Sequence, residues 1–396
     1  MFKYILIVAV LTGCGYWYYS HRELPSQATP VADSGGAEST PPAAAPSVGT
    51  ASPTVDELLR QNHFSEADAL LEQVAVERRD RSWKTGKLAV AEGLGRNEEV
   101  LRLLDDLEAQ AQVDEKSRLL WSRAESLRTL GREVEAEAVY LGLMKDYPGM
   151  EEAFKSALLL QKKWRLWLGK RDYDERMPEL AKVLTYVYEN SMDEEVQDEM
   201  LGLIDKTWAR ILANPKGYEG LLVFHDVKYG EFLSVIAKKY EVYSERIQRI
   251  NGIENSNMLR AGQRLKILKG RCRIVVDKER FRLAIYLQDI LFKHYKVGIG
   301  KDGKTPRITT AVSSSLAKEP PYSDPKTHEI LPFGHPGNPI GTRWIGFTMG
   351  QGYGIHGTNQ PETIGTESSN GCIRLKNSDV EDLYDYVMKG DEVVIR

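Results

Sequence analysis

A cysteine and a histidine near the end of the chain have the chemistry of a nucleophile and its base. Cys372 and His356 lie 16 residues apart in the stretch YGIHGTNQPETIGTESSNGCIRLK. A free thiol has a pKa of about 8.5 and is only about 3% thiolate at pH 7, so it is a weak nucleophile by itself. An imidazole that accepts its proton produces a thiolate–imidazolium pair, which is an activated nucleophile. The segment between them contains Pro361 and Gly365, and a loop of this length could bring the two side chains into contact.

The residue before the cysteine favours the same chemistry. Gly371 allows the backbone to pass close to a substrate, and the amides around Gly371 and Cys372 could point at a developing oxyanion. A cysteine and a histidine alone are more typical of a packed thiol and a hydrogen-bonded structural histidine. The neighbouring motifs therefore decide between the two interpretations.

Several motifs in order resemble the YkuD-type L,D-transpeptidases. IHGT at 355–358 and SNGCIR at 369–374 match the active-site signature, KTP at 304–306 matches a turn of that family, and GNPIGTRW at 337–344 matches its Gly- and Pro-rich stretch. The resemblance covers 271–396. It implies a mostly-β catalytic domain that forms peptidoglycan cross-links by acyl transfer on tetrapeptide stems.

The resemblance also implies residue roles. Cys372 would be the nucleophile, His356 the general base and then the acid, and Gly371 would supply a backbone oxyanion site. Ser369, Asn370 and Arg374 would be supporting residues, with Arg374 orienting a carboxylate or the loop. Asn370 stands where the family usually has histidine. If that imidazole assists proton transfer, its loss would lower activity or shift it toward hydrolysis, as in an L,D-carboxypeptidase.

The local pattern around these motifs predicts hairpin strands followed by one helix. Alternating apolar residues predict strands over 273–276, 282–287 and 291–297, and a closing strand over 392–395. A helix is predicted over 378–388, with Ser378 or Asn377 as its N-cap in a capping box with Glu381.

Residues 222–268 predict a small βααβ module that resembles LysM. An apolar stripe at Leu233, Ile236 and Ala237 is followed by a second stripe and a closing strand, GQRLKI, at 262–267. LysM modules bind N-acetylglucosamine chains, so the resemblance implies a glycan groove. Its candidate residues are Gly230, Glu231, Phe232, Leu233, Asn251, Gly252 and Ile253.

The segment 55–215 is predicted to be helical. Leu, Ala, Glu and Arg dominate, and Leu101, Leu104 and Leu107 form one stripe. The stretch 121–148 resembles a tetratricopeptide unit, and its Leu-Gly-Arg turn recurs 36 residues upstream at 94–96. A plain helical bundle is the alternative. A protein partner could bind this region.

The first 54 residues predict a membrane-targeting segment and a spacer. Residues 1–20 hold one lysine and then an uncharged apolar and aromatic run, which fits a signal-anchor. The tetrapeptide Leu-Thr-Gly-Cys ending at Cys14 resembles a lipobox, so a lipidated Cys14 is the alternative. Residues 21–54 form a linker, in which 25 of the 30 residues at 25–54 are Pro, Ala, Ser, Thr or Gly. Such a segment favours disorder.

Composition limits the function classes. The 396 residues carry a formal net charge of −4, which excludes a strongly basic nucleic-acid binder. Cys14, Cys272 and Cys372 form no CxxC pair, which excludes a zinc finger and a dense disulfide framework, and we expect Cys272 to be a packed thiol. His328 and His335 lack further ligands at suitable spacing, so we expect no metal and no cofactor.

Together the segments predict a multidomain protein: an α-helical, tetratricopeptide-like region, a βααβ LysM module and a mostly-β YkuD catalytic domain. The hypothesis is a peptidoglycan L,D-transpeptidase tethered to a membrane in the periplasm or cell envelope, with stem peptides and glycan strands as partners. An L,D-carboxypeptidase and a non-catalytic peptidoglycan-binding scaffold are the alternatives. The sequence leaves open the acyl acceptor and the oligomeric state.

Overall fold

The computed structural model describes residues 53–324, 327–350 and 352–396. It forms two compact units that divide between Ser156 and Ala157. None of the helices in the described ranges is both long and apolar enough to cross a membrane. The predicted anchor at 1–20, the lipidation site at Cys14 and nearly all of the predicted linker lie outside the described residues.

The first unit is helical, as predicted. Leu104 and Leu107 of the predicted apolar stripe are almost fully buried, and they pack with Leu88, Ala91 and Val100. The helices are α1 (Val55–Arg60), α2 (Phe64–Glu72), α3 (Arg81–Gly93), α4 (Asn97–Glu108), α5 (Val113–Thr129), α6 (Glu133–Asp146) and α7 (Glu151–Trp164), the last of which continues into the second unit.

The two Leu-Gly-Arg turns occupy equivalent places in this unit. Gly95 joins α3 to α4 with φ 67°, and Gly131 joins α5 to α6 with φ 75°. Glycine is the residue that takes positive φ without steric penalty, so it ends each preceding helix. Two helix pairs with the same turn, 36 residues apart, are consistent with a tetratricopeptide-like repeat.

The second unit begins with helices and continues with the LysM module. Trp164 and Trp167 are buried and stacked at 4.7 Å, as expected of a buried face. In the LysM module the two strands pair antiparallel, and Leu233, Ile236 and Ile247 fill the core. The elements are α8 (Met177–Asn190), α9 (Glu194–Ala213), β1 (Leu222–Asp226), α10 (Leu233–Tyr240), α11 (Ser244–Asn251) and β2 (Arg264–Leu268).

The C-terminal part is built on one large sheet, which confirms the mostly-β prediction. The strands are β3 (Cys272–Asp277), β4 (Arg282–Leu287), β5 (Ile290–Lys296), β6 (Ile299–Gly300), β7 (Ile308–Lys318), β8 (Tyr322–Ser323), β9 (Ile330–Leu331), β10 (Arg343–Phe347), β11 (Gly354–His356), β12 (Glu367–Ser369), β13 (Ile373–Arg374) and β14 (Glu392–Ile395). Eight of them form the large sheet in the order β13-β11-β10-β7-β14-β3-β4-β5, and two small two-stranded sheets, β12-β6 and β8-β9, accompany it.

The late helix differs from its prediction at both ends. Helix α12 covers Asn377–Tyr384, and its N-cap is Lys376, which makes no side-chain capping bond. The capping box predicted at Ser378 or Asn377 is therefore wrong. Asn377 has another task, because its Oδ1 accepts hydrogen bonds from the backbone N–H of Thr358 at 3.0 Å and of Thr342 at 3.4 Å.

Helices α8 and α9 pack against β5, the edge strand of the large sheet. The Leu291 N–H donates to Thr185 Oγ1 at 3.0 Å, and Trp208 Nε1–H donates to the Leu291 carbonyl at 2.7 Å. Trp208 also packs edge-on against Phe292, with ring centroids 4.7 Å apart. An uncovered edge strand presents unpaired backbone groups, so these helices satisfy polar groups that the sheet itself leaves open.

We predict that Trp208→Phe lowers the free energy of unfolding by about 1–3 kcal/mol, because it keeps an aromatic ring but leaves the buried Leu291 carbonyl without its donor. Urea denaturation of both proteins measures the difference. Tyr229→Phe is the matched control, since Tyr229 is 97% exposed and losing its hydroxyl should change the stability little. Equal stabilities of Trp208→Phe and the wild type would show that the edge contact contributes nothing.

Candidate active site

A short pair of parallel strands brings the predicted nucleophile and base together. Ile355 of β11 lies opposite Ile373 of β13, and His356 lies opposite Arg374. Cys372 directly precedes β13, so its position falls two residues from that of His356 on the neighbouring strand. Residues two apart along a strand share a face. Both isoleucines are fully buried, which holds this register.

The His356 imidazole is held in one orientation. Its Nδ1 lies 2.6 Å from the Gly357 carbonyl, so Nδ1 carries the proton and donates it. The lone pair therefore lies on Nε2, the ring nitrogen that can act as a base. Trp344 of β10 stacks against the ring at 5.8 Å. The imidazole is buried, and burial lowers its pKa from 6.5 to about 4; the hydrogen bond to Gly357 opposes this and the Arg374 charge adds to it.

The Cys372 thiol is half-buried and neutral in this geometry. Its Sγ donates to the Gly352 carbonyl at 3.0 Å. Burial raises the pKa of the thiol, while a backbone hydrogen bond at Gly354 and the nearby Arg374 guanidinium act in the opposite direction. Among the described residues no hydrogen bond joins the thiol to the imidazole. The resting pair is therefore a thiol and a neutral imidazole.

The loop before the cysteine is fixed by two hydroxyl groups. Ser369 Oγ–H donates to the Cys372 carbonyl at 2.6 Å and accepts the Gly371 N–H at 3.1 Å. Thr305 Oγ1–H donates to the Gly371 carbonyl at 2.9 Å and accepts the Gly300 N–H at 2.7 Å. The Gly371 N–H already donates to Ser369 Oγ. This hydrogen bond must break before the same N–H can donate to an oxyanion.

Gly371 cannot be replaced without moving its neighbours. Its φ is 129°, and a Cβ at this position would lie 3.0 Å from a ring carbon of Tyr353 and 3.1 Å from the Lys304 carbonyl. The glycine before the nucleophile is therefore required by close backbone approach and by its dihedral angle.

The other two predicted residues flank the nucleophile. Arg374 is half-buried, and its backbone N–H and C=O both pair with Gly298. Burial lowers the pKa of its guanidinium, and the nearby Cys372 acts in the opposite direction. Asn370 is exposed, and its side chain makes no hydrogen bond to any described residue. Its side chain therefore does not help to hold the loop.

Sequence reasoning missed several residues that shape this site. Thr305 anchors the nucleophile loop, Trp344 stacks on the base, and Asn377 ties down the backbone that follows His356. Burial raises the pKa of the Tyr322 hydroxyl, and the charges of Asp324 and Cys372 add to this effect. Tyr322 therefore lies close to Cys372. The family-like KTP and RW motifs contained the first two, but their spacing did not indicate a contact.

In the LysM module the structure divides the predicted groove residues. Phe232 is 65% exposed, and the neighbouring Tyr229, which sequence reasoning missed, is more exposed still. The Glu231 carboxylate is held by the Lys228 N–H at 2.7 Å and by His225 Nε2 at 2.9 Å. Gly230 takes positive φ in the turn.

The other predicted groove residues make contacts within the module. The Leu233 side chain is buried in the module's core. The Asn251 amide donates to the Ile247 and Lys266 carbonyls and accepts the Lys266 N–H, all at 2.8 Å. Gly252 ends α11 in a left-handed conformation, and Ile253 packs partly against the core.

Cys272 is a packed thiol, as expected. It is buried and forms no disulfide with any described residue, and burial raises its pKa to about 12. His335 Nδ1 accepts the Gly337 N–H at 3.1 Å. In the described ranges no group of three or more His, Cys, Asp or Glu residues could hold a metal ion.

Comparison with known proteins agrees with this geometry. Residues 271–395 match the YkuD family, the L,D-transpeptidase catalytic domain, and residues 225–268 match the LysM domain. The chain is 40% identical to Bacillus subtilis YqjB, which is named as an L,D-transpeptidase, over 31% of this chain and 69% of that protein. It is 32% identical to Bacillus licheniformis YkuD, named likewise, over 44% of this chain and 99% of that protein.

Among solved structures, the chain is similar to an L,D-transpeptidase from Mycobacterium smegmatis at 20% identity and a TM-score of 0.26. The match covers 34% of this chain and 63% of that one. The two Bacillus relatives, each matched over more than two thirds of its length, are what show the family. The chain belongs to the L,D-transpeptidase family.

We predict that His356→Gln reduces the loss of stability in acid. Between pH 6.5 and pH 4 the unfolded imidazole binds a proton and the folded one does not, so wild-type stability falls as the pH falls through this window. The full effect is about 3 kcal/mol. Urea unfolding at pH 7 and pH 4.5 should show a smaller decrease for the variant, by about 2–3 kcal/mol.

His328→Gln is the control for this measurement, because it removes an exposed imidazole. It should follow the wild-type pH response. An identical pH response of His356→Gln and wild type would contradict a buried neutral imidazole at position 356.

Proposed function

We propose that this chain is a peptidoglycan L,D-transpeptidase that forms cross-links through a thioester at Cys372. The observation that carries the proposal is the fixed tautomer of His356, whose Nδ1–H is bound to Gly357 and whose Nε2 is the base. This nitrogen lies on the strand next to a half-buried thiol. A packed structural cysteine, such as Cys272, has neither feature.

In the first half-reaction the Cys372 sulfur attacks the carbonyl carbon of the third stem residue. His356 Nε2 takes the thiol proton, and the carbonyl electrons move to oxygen. The backbone N–H of Cys372 would stabilise this oxyanion, joined by the N–H of Gly371 once its hydrogen bond to Ser369 is broken. The intermediate then expels terminal D-Ala, whose amine receives the proton from His356, and a thioester remains.

In the second half-reaction the side-chain amine of a neighbouring stem attacks the thioester. His356 removes a proton from the amine and returns one to the sulfur, which leaves as thiol while a new amide bond forms. If water attacks instead, the product is a shortened stem, which is the L,D-carboxypeptidase alternative.

Arg374 would assist by electrostatics. Its positive charge beside Cys372 favours the thiolate and disfavours the imidazolium of His356, and thus offsets part of the effect of burial on the sulfur. Ser369 and Thr305 would keep the sulfur and the backbone N–H groups in place during both half-reactions.

The LysM module would hold the glycan strand that carries the stems. The proposed contact surface consists of the main chain at Gly230 and Asn251–Ile253 and the exposed side chains of Phe232 and Tyr229. Glu231 would support this turn through its bond to the Lys228 N–H rather than bind sugar.

The wall-directed domains indicate an extracytoplasmic location. We further propose that the chain is tethered to a membrane in the periplasm or cell envelope through residues 1–20, as an anchor or through a lipid at Cys14. The helix pairs joined at Gly95 and Gly131 would form a tetratricopeptide-like adaptor for a protein partner. A non-catalytic wall-binding scaffold remains the second candidate, favoured by the LysM match.

We predict that the purified full chain forms a covalent carbapenem adduct and that Cys372→Ala forms none. With a disaccharide-tetrapeptide, the wild type should release D-Ala and yield a cross-linked dimer, whereas His356→Gln should be slower by about 10²–10⁴-fold. Intact-mass analysis and product mass spectrometry measure both. Cys272→Ala is the matched control, because Cys272 is buried away from the reaction. The scaffold interpretation would replace the enzyme one if wild type gave neither adduct nor product.

Asn370 permits a test of the acyl acceptor. We predict that Asn370→His increases the ratio of dimer to hydrolysed tripeptide by about tenfold, because an added imidazole can remove the proton of the incoming amine. The ratio is read from the same mass analysis. Asn370→Ala should behave like wild type, since the Asn370 side chain makes no hydrogen bond to a described residue. A loss of acylation in Asn370→Ala would instead show that the amide itself takes part in catalysis.

A further inference from the structure

A buried arginine fastens the LysM module to the catalytic domain. Arg246 of α11 is 1% exposed. Its Nη1 donates to the Gly270 carbonyl at 2.6 Å and to the Leu268 carbonyl at 3.4 Å. Its Nη2 donates to Cys272 Sγ at 3.2 Å and to the Tyr386 carbonyl. One guanidinium therefore joins the module, the connecting segment, the first strand of the sheet and the segment after α12.

The chemistry of this arginine argues against a hinge at this place. A guanidinium is always charged, and its donors form a rigid planar fork. The hydrogen-bond acceptors of Arg246 are neutral, and the Asp391 carboxylate interacts with it only through its charge, so several hydrogen bonds together must compensate its burial. Bending the connection at Leu268–Gly270 would break these bonds and leave a buried charge without partners, which is strongly unfavourable.

A second row of contacts lies one helical turn further along α11. Arg249 Nη2 lies 2.7 Å from Asp382 Oδ1 on α12. Asp382 is largely buried, and it also binds Lys293 Nζ at 2.7 Å and the Tyr295 hydroxyl at 2.6 Å, both on β5. The hydrogen bonds with Lys293 and Tyr295 and the charge of Arg249 hold the pKa of the Asp382 carboxyl below its usual value against the effect of burial.

The same helix α12 holds the catalytic histidine segment. At its first residue, Asn377 Oδ1 accepts the N–H of Thr358, two residues after His356, and the N–H of Thr342. At the other side of the module, Glu245 of α11 pairs with Lys318 at 3.2 Å, at the end of strand β7. Contacts therefore run without interruption from α11 through α12 to the backbone beside His356.

Helix α11 also leads directly into the proposed glycan groove. It ends at Asn251 and Gly252, and Asn251 ties this end to β2 through Lys266. The residues that face the catalytic domain and the residues that lead into the groove thus belong to one eight-residue helix.

We propose that Arg246 and Arg249 are positioning residues that fix the LysM groove relative to Cys372. This inference rests on the proposed function. The donor substrate is then a stem still attached to a glycan strand that is long enough to fill the groove and reach the thiol. A free disaccharide-peptide can use the thiol but gains nothing from the module. Holding both parts of one substrate in a fixed geometry lowers the entropic cost of the reaction.

The test compares two donors with the full chain: a free disaccharide-tetrapeptide and isolated glycan strands bearing tetrapeptides. The wild type should have a kcat/KM at least about tenfold higher on strands. Arg246→Met should lose most of this advantage through a fall in kcat, because the groove and its affinity, reflected in KM, remain. Its kcat/KM on the free donor and its carbapenem acylation should be unchanged.

A second variant covers the case in which Arg246→Met does not fold. Arg249→Gln removes the half-exposed partner of Asp382. On strands it should lower kcat by a smaller factor than Arg246→Met does and leave KM unchanged. Lys239→Gln on α10, which lies away from the catalytic domain's ion pairs, is the control and should match wild type.

The outcomes separate the two proposals. If the wild type is acylated but shows no preference for strands, or if both arginine variants keep the full preference, the positioning inference is wrong and the proposed function stands. If wild-type Cys372 is acylated by neither donor, the proposed function fails and the inference fails with it.

Discussion

The parallel pairing of β11 with β13 is the constraint on which the site depends. Ile355 and Ile373 are both fully buried and lie opposite each other, so the apolar core sets their register. The side chains of a strand alternate between its two faces, and a slip of one residue would move Cys372 to the face opposite His356.

Burial then decides the charge state of the site. It lowers the pKa of His356 to about 4 and raises that of Cys372, so both groups are neutral until a substrate arrives. The Arg374 charge acts on the two groups in opposite senses, because it favours the thiolate of Cys372 and disfavours the imidazolium of His356. A permanently ionised thiolate would be exposed to oxidation throughout. The hydrogen bond from His356 to Gly357 is compatible with this arrangement because it selects the tautomer without adding charge.

The local patterns allowed good prediction of the elements and poor prediction of the contacts between them. The strand over 282–287 was predicted to the residue because its alternation and flanking turns are local. Helix α12 was misjudged because the spacing of Ser378 and Glu381 fits a capping box, whereas the helix begins at Asn377 and the Asn377 Oδ1 accepts two distant backbone N–H groups. Leu233 was placed in a groove on the strength of a motif, although its apolar side chain belongs to the core. No local sequence pattern indicates that the arginine at position 246 is buried.

The family domain and the physical unit of this chain have different boundaries. The catalytic match spans 271–395, but β5 at one edge of its sheet obtains partners for Leu291 from Thr185 and Trp208. On the other side, α12 shares a buried carboxylate with the LysM module through Arg249. An edge strand and a buried charge are both unfavourable when they lack partners. The segments outside the family domain thus complete hydrogen bonds and ion pairs that the catalytic domain alone leaves open.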